Sequence, residues 1–184
     1  MMGKTHMIAG AVAGYMVFPH WSGVFVGMVG GMVPDIDEPN SKISRIGLLR
    51  LMAYPVSFVF KHRSMTHSLA FLFSSFLLSL IFFVSGLSAL SFWIEANMRD
   101  MLAASLFLAI AYSMGMASHL LCDMLTGKIK LLYPSPKSYG ISIPRWSYHL
   151  VDMVFRIMLI GVVVWGVLSG NVLSKLLTFK SFIY

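Results

Sequence analysis

Long apolar stretches joined by short polar ones dominate the chain. Residues 7–33 are apolar but broken near the middle by Phe18-Pro19-His20-Trp21-Ser22-Gly23. Each half holds about a dozen residues. At about 1.5 Å per residue a half covers less than about 20 Å, too little for a hydrocarbon core of about 30 Å. A single kinked span and a short helical hairpin both fit this length. Pro19, Ser22 and Gly23 are turn residues and favour the hairpin. Gly10, Gly14, Gly27, Gly30 and Gly31, with Ala11 and Ala13, let its arms approach closely. A hairpin also returns Pro34-Asp35-Ile36-Asp37 to the side that holds His6.

Residues 34–44 form a polar connector. Residues 46–60 are apolar, interrupted by Pro55 and surrounded by Arg45, Arg50 and Lys61, and read as an interfacial helix. Transmembrane helices are predicted over 68–90, 101–122 and 150–169. Thr66 and Ser68 are candidate caps for the first of them. A short loop, 91–100, and a basic, proline-containing loop, 126–146, connect the three. The predicted fold is an all-α, polytopic integral membrane protein in one domain, 1–184. It has an N-terminal helical hairpin, about three transmembrane helices and an interfacial helix.

Composition supports this. Of the 184 residues 58% are hydrophobic and only 11% charged, against about a quarter charged in a soluble domain. Mean hydropathy is +0.79. The net charge of +7 would suit nucleic acid in a soluble protein. Here the basic residues flank apolar segments, so loops facing anionic lipid account for them and no nucleic-acid partner is expected. A single cysteine, Cys122, excludes an internal disulfide and a cysteine-based zinc cluster. No cleavable signal peptide is expected, because the first apolar run contains His6 and leads into polar sequence.

Counting crossings brings distant residues together. The chain crosses after His67 and returns before Asp123, so His62 and His67 share a side with His119, Asp123 and Thr126. With a hairpin at the start, His6, Asp35 and Asp37 join them. Loops on that side hold Lys42, Arg45, Arg50, Lys61, Arg63, Lys128, Lys130, Lys137 and Arg145, whereas 91–100 holds one basic residue, Arg99. The positive-inside bias makes that side cytoplasmic.

The candidate metal ligands are therefore His6, Asp35, Asp37, His62, His67, His119 and Asp123. His119 and Asp123 are four residues apart and share a helix face. Asp35 and Asp37 flank one residue after a proline and suit an extended pair of oxygen ligands. Imidazole with carboxylate suits zinc, manganese or iron. Seven candidates exceed the four ligands of a structural zinc site and fit one or two divalent ions with a position open for water. Each piece alone has a plainer explanation: a hydrogen-bonded histidine, a turn aspartate, an internal helix contact. Their placement on one face carries the reading. His20, at the hairpin turn, reads as structural, and His149 as a residue beside the site at most.

Thr5-His6, Pro34-Asp35-Ile36-Asp37, His62 through Ser68, and His119 through Thr126 ending at Leu131-Leu132-Tyr133-Pro134 resemble the membrane-bound, metal-dependent hydrolases of the YdjM (LexA-regulated) type. Order and approximate spacing match along about the first 135 residues. The resemblance implies a bacterial inner-membrane hydrolase with those seven residues as ligands. Glu38 stands where that family often has His, and the loop from Thr126 to Pro134 is slightly shorter.

The expected function is metal-dependent hydrolysis at the cytoplasmic face by a metal-activated water. The expected substrate is a phosphoester or lipid phosphate, with membrane lipids as partners. Asp37, His67 and Arg63 are the expected catalytic residues. Arg63, Lys61, Lys128 and Lys130 are placed to hold a phosphate, although positive-inside topology alone explains basic residues there. Two rivals stand beside this reading. One is a non-catalytic metal-binding scaffold or transporter, the latter wanting ligands nearer mid-membrane. The other is an intramembrane metalloprotease, weakened by the lack of a His-Glu-x-x-His motif.

Overall fold

Two short arms that touch through glycine begin the chain in the computed structural model, which describes residues 3–38, 41, 63–94, 97–144 and 146–169. Helix α1, Gly3–Val17, and helix α2, Trp21–Gly30, are antiparallel. Gly10 and Gly14 of α1 face Gly27 of α2, and Gly31 lies against the His6 carbonyl at the other end of the register. A Cβ on Gly27 would collide with the Gly10 carbonyl oxygen and with Gly14 Cα, so this contact requires hydrogen as the side chain. At about 1.5 Å per residue the arms are about 22 and 15 Å long. The predicted hairpin is present, but its turn is tighter than the expected Pro19–Gly23: Ser22 and Gly23 lie in the first turn of α2, because His20 caps that helix.

His20 fixes that turn. It is the N-cap of α2, and its Nδ1 accepts from the Ser22 backbone N–H at 3.3 Å and lies 2.8 Å from Ser22 Oγ. Burial pushes its imidazole below the usual range, in keeping with a neutral cap. A 3-10 turn, Val33–Asp37, follows α2 and carries Asp35 and Asp37.

Three long helices complete the described fold: α3, Leu69–Ile94; α4, Met98–Thr126; and α5, Tyr148–Leu168. All three are long and apolar enough to cross a membrane. The core 18-residue stretch of α3 and of α5 is only 6% buried in protein, against 44% for α4. So α4 is the central helix, and α3 and α5 present most of their surface to the bilayer. The hairpin packs on α4. Gly115 of α4 lies so close to the Gly27 carbonyl that a Cβ there would collide with it. Phe18, Leu108 and Ala111 form one apolar cluster with Val26 and Phe83 packed against it; Ala9 and Cys122 form another against Val151 and Phe155 of α5.

Ser68 caps α3 as expected: its Oγ accepts from the Phe71 N–H at 3.2 Å and donates to the Met65 carbonyl at 2.6 Å. The connection between α3 and α4 is shorter than the predicted 91–100 loop. Helix α3 continues to Ile94, because residues 91–94 contain neither Gly nor Pro to stop it. Asn97 then caps α4 by accepting from the Arg99 N–H at 2.9 Å. After α4 the chain folds back on itself. Ile129 and Tyr139 exchange two backbone hydrogen bonds of 2.9 Å, and Leu69 N–H donates to the Leu131 carbonyl at 2.9 Å. The expected interfacial helix 46–60, together with His62, Lys42, Arg45, Arg50, Lys61, Glu95 and Arg145, lies outside the described residues.

Candidate metal centre

Four pieces of chain meet at one end of the bundle. Helix α1 contributes His6, the 3-10 turn contributes Asp35 and Asp37, the turn before α3 contributes Arg63, Thr66 and His67, and the last turns of α4 contribute His119 and Asp123. His6, Asp37, His67, His119 and Asp123 are each at most 2% exposed. Polar groups this deeply enclosed at the end of a membrane bundle need partners.

Asp123 is the hub. Its Oδ1 lies 3.3 Å from His6 Nε2, and its Oδ2 lies 3.3 Å from His67 Nε2 and 3.8 Å from His119 Nε2. Asp35 Oδ1 lies 3.5 Å from His119 Nε2 and 3.9 Å from His67 Nε2. The rings of His6 and His119 stack with centroids 3.7 Å apart. Two groups have donor atoms close enough to share an ion: His67, His119 and Asp123, and His6, Asp35 and His119.

Hydrogen bonds on the outer side of two rings set their tautomers. His119 Nδ1 lies 2.7 Å from the Gly31 carbonyl oxygen. A carbonyl only accepts, so Nδ1 carries the proton and Nε2 is left as a lone pair. The Thr66 hydroxyl donates to Asp37 Oδ2 at 2.5 Å and lies 3.0 Å from His67 Nδ1. With its own hydrogen bond donated to Asp37, the hydroxyl accepts from His67 Nδ1–H, and in the neutral ring His67 Nε2 is likewise a lone pair. These two Nε2 atoms face each other at 3.2 Å. The Arg63 guanidinium pairs with Asp123. Two imidazole Nε2 atoms facing each other beside the Asp35 and Asp123 carboxylates in a buried site fit a divalent cation.

Arg63 reaches in from the rim. Its Nη2 donates to Asp123 Oδ1 at 3.3 Å, its Nε lies 3.3 Å from Asp123 Oδ2, and its side chain is 27% exposed. Its φ of 63° is the one left-handed non-glycine conformation among the described residues. Such a backbone costs about 1–3 kcal/mol and persists only where surrounding contacts impose it. The Lys130 N–H donates to the Arg63 carbonyl at 3.2 Å, and Gly127 leaves room for the guanidinium.

The structure thus gathers His6, Asp35, His67, His119 and Asp123 around one point. Asp37 sits behind His67, on its Nδ1 side, linked through Thr66. His62 lies outside the described residues. Thr66 does not cap α3; it bridges Asp37 and His67. His149 is exposed and packs on Tyr148. A second buried polar cluster went unread in the sequence. Asp152 Oδ1 accepts from Thr5 Oγ1 at 2.9 Å, Arg156 Nε donates to Thr5 Oγ1 at 3.3 Å, and Arg156 Nη2 pairs with Asp152 Oδ2. The signal for it was an acid and a base four residues apart inside a predicted span. It fastens α5 to α1 one residue from His6.

Fold and site together define a polytopic helical membrane protein with a buried histidine–aspartate cluster able to hold a metal ion. The chain belongs to the YdjM inner membrane protein family, which matches residues 1–183. It is also similar to a protein of Bacillus subtilis (strain 168) named "Uncharacterized protein YvsG", with 36% identity over 141 residues, or 73% of this chain and 74% of that one. No solved structure matches.

Proposed function

We propose that this inner-membrane protein is a metal-dependent hydrolase of phosphoesters, with a lipid phosphate as its best-fitting substrate, working at the cytoplasmic face. The observation that carries the reading is the facing pair of Nε2 atoms of His67 and His119, 3.2 Å apart and flanked by Asp35 and Asp123. These four residues, with His6, would hold zinc or manganese, as one ion or two. An ion there supplies Lewis acidity to water and to a phosphoryl oxygen. Thr66 and Asp37 hold the His67 ring in place, and the Gly31 carbonyl does the same for His119. Asp35, 19% exposed, is the most open of the three carboxylates and is placed to take a proton from water. Arg63, at the rim, is placed to bind a phosphate oxygen. Water adds to phosphorus, the ester P–O bond breaks, and the alcohol leaves with the proton that Asp35 received. The basic bias of the loops around the site supports the cytoplasmic orientation.

The test is metal analysis of the purified protein, followed by a hydrolysis screen over phosphatidic acid, other phospholipids and soluble phosphomonoesters with the metal found. Stoichiometric zinc or manganese together with phosphate release supports the reading. Bound metal without turnover of any phosphoester or lipid moves it to a metal-binding scaffold or transporter. Protein that binds no metal ends it.

A further inference from the structure

A cavity of about 410 Å³ lies between α2, α3 and α4, lined by Val26 and Val29, by Ser75, Ser79 and Phe83, and by Tyr112, with Leu78 and Phe82 at its edge. Its wall is hydrocarbon apart from three hydroxyls. All three are engaged within the protein: Tyr112 is hydrogen-bonded to Ser75, and Ser79 Oγ donates to the Phe76 carbonyl at 2.8 Å. Leu78 and Phe82 are 68% and 71% exposed, so the cavity opens sideways on the surface of α3 that meets the bilayer. Water does not compete for an apolar groove at that depth, so lipid is the medium that fills it.

Its position relative to the metal centre gives it a direction. On each of the three helices the groove lies on the membrane side of the site. Val29 comes two residues before Gly31, which holds His119; Tyr112 comes seven residues before His119; and Ser75 comes eight after His67. From Ser75 to Phe83 the groove follows α3 for about 12 Å at 1.5 Å per residue. One leaflet of hydrocarbon is about 15 Å deep, half of a core of about 30 Å. A chain that starts from a head group at the His–Asp cluster and runs along the helices therefore has a groove of matching length beneath it.

We infer that this groove seats one acyl chain of a phospholipid whose phosphate lies at the metal centre. This rests on the hydrolase reading for the head group and narrows the substrate class to membrane lipids with a long chain. Soluble phosphoesters would leave the groove to bulk lipid.

The experiment uses the full-length protein in nanodiscs with phosphatidic acid carrying a photoreactive diazirine near the end of one acyl chain, and maps labelled residues by mass spectrometry. The expected result is labelling of Val26, Ser79 and Phe83 in preference to Met158 and Val162 on the lipid face of α5. In Ser79→Trp the indole fills the groove, and labelling of Val26 and Phe83 should fall about tenfold or more, because a chain loses several methylenes of burial there. Ser79→Leu, a smaller plug, should give an intermediate loss and guards against a misfolded tryptophan variant. Equal labelling of the groove and the α5 face in the wild type overturns the inference. So does labelling that Ser79→Leu and a folded Ser79→Trp leave unchanged. Groove labelling without phosphate release supports the acyl seat and removes the hydrolase reading. Hydrolysis of short-chain and long-chain phosphates at equal rates, with no groove labelling, does the reverse.

Discussion

His67 Nε2 and His119 Nε2 face each other at 3.2 Å, and the outer nitrogen of each ring is bonded to an oxygen, that of Thr66 in one case and of the Gly31 carbonyl in the other. In the neutral tautomer that these outer bonds set, neither inner nitrogen has a proton to give the other. A shared cation or a proton must relieve that pair, and Asp123 and Asp35 beside it favour the cation. His119→Ala removes one lone pair and Asp123→Ala removes the hub carboxylate. Both should lose most bound metal while still inserting in the membrane, since the apolar spans are unchanged. Metal-to-protein ratio after gel filtration measures this, and full metal content in both variants ends the metal-site hypothesis.

Thr66 offers a sharper test, because its side chain belongs to neither candidate ligand group. Its hydroxyl accepts a hydrogen bond from His67 Nδ1–H and donates one to Asp37 Oδ2. Thr66→Val keeps the shape and deletes both bonds. Loss of an outer bond of this kind lowers metal affinity by about 10–100-fold. Thr66→Ser should retain nearly all of the affinity. A competitive chelator titration distinguishes the two. Equal affinities in Val and Ser variants would show that Thr66 does not orient His67.

The spans and the hairpin were legible in the sequence because a bilayer leaves so few options. Runs of about 20 apolar residues cross, and two short arms broken at Pro19 and His20 turn back. The convergence of His6, Asp35, His67, His119 and Asp123 followed from counting crossings, not from any single motif. Other features required three-dimensional information. Thr66 and Ser68 are equally good caps on paper, and only the approach of Asp37 decides that Thr66 is engaged elsewhere. Arg63 read as a candidate phosphate ligand, and only the fold shows that its guanidinium also pairs with Asp123. Asp152 and Arg156 were passed over because their neighbours make residues 150–169 read as apolar.

The Asp152–Arg156–Thr5 cluster should behave as a buried ion pair. Asp152 is fully buried and Arg156 is mostly covered. Asp152→Leu leaves the guanidinium without its carboxylate and should cost about 3 kcal/mol. Replacing both, Asp152→Leu with Arg156→Leu, should cost less than the single change, because no charge is then stranded in the span. Thermal unfolding in detergent gives the order. A double variant less stable than Asp152→Leu would contradict it.

Orientation can be tested without reference to chemistry. In a Cys122→Ser background, Lys137→Cys lies on the loop at the metal-centre end, and Met98→Cys lies at the start of α4, one span away. Lys137 and Met98 are both exposed. A membrane-impermeant maleimide added to intact cells with a permeable outer membrane should label position 98 and leave position 137 untouched until the inner membrane is opened. Labelling of 137 alone would place the centre outside and remove the cytoplasmic assignment.

The last prediction concerns the hairpin that delivers His6. Gly27 touches Gly10 and Gly14 on one side and accepts Gly115 of α4 on the other. Nothing larger than hydrogen fits between these backbones. Gly27→Ala forces the arms apart or tilts the hairpin off α4, and overpacking of this kind costs about 1–3 kcal/mol. The consequence extends to the site. His6 stacks on His119, and the Gly31 carbonyl bonds His119 Nδ1, so moving α1 or the end of α2 disturbs two of the five gathered side chains. Gly27→Ala should therefore lower both thermal stability and metal affinity. Gly86→Ala, on α3 with open space around it, should change neither. Unfolding midpoints and chelator titrations on the same preparations measure the two effects. A Gly27→Ala protein with wild-type metal affinity and lowered stability would show that the hairpin supports the bundle without positioning the centre.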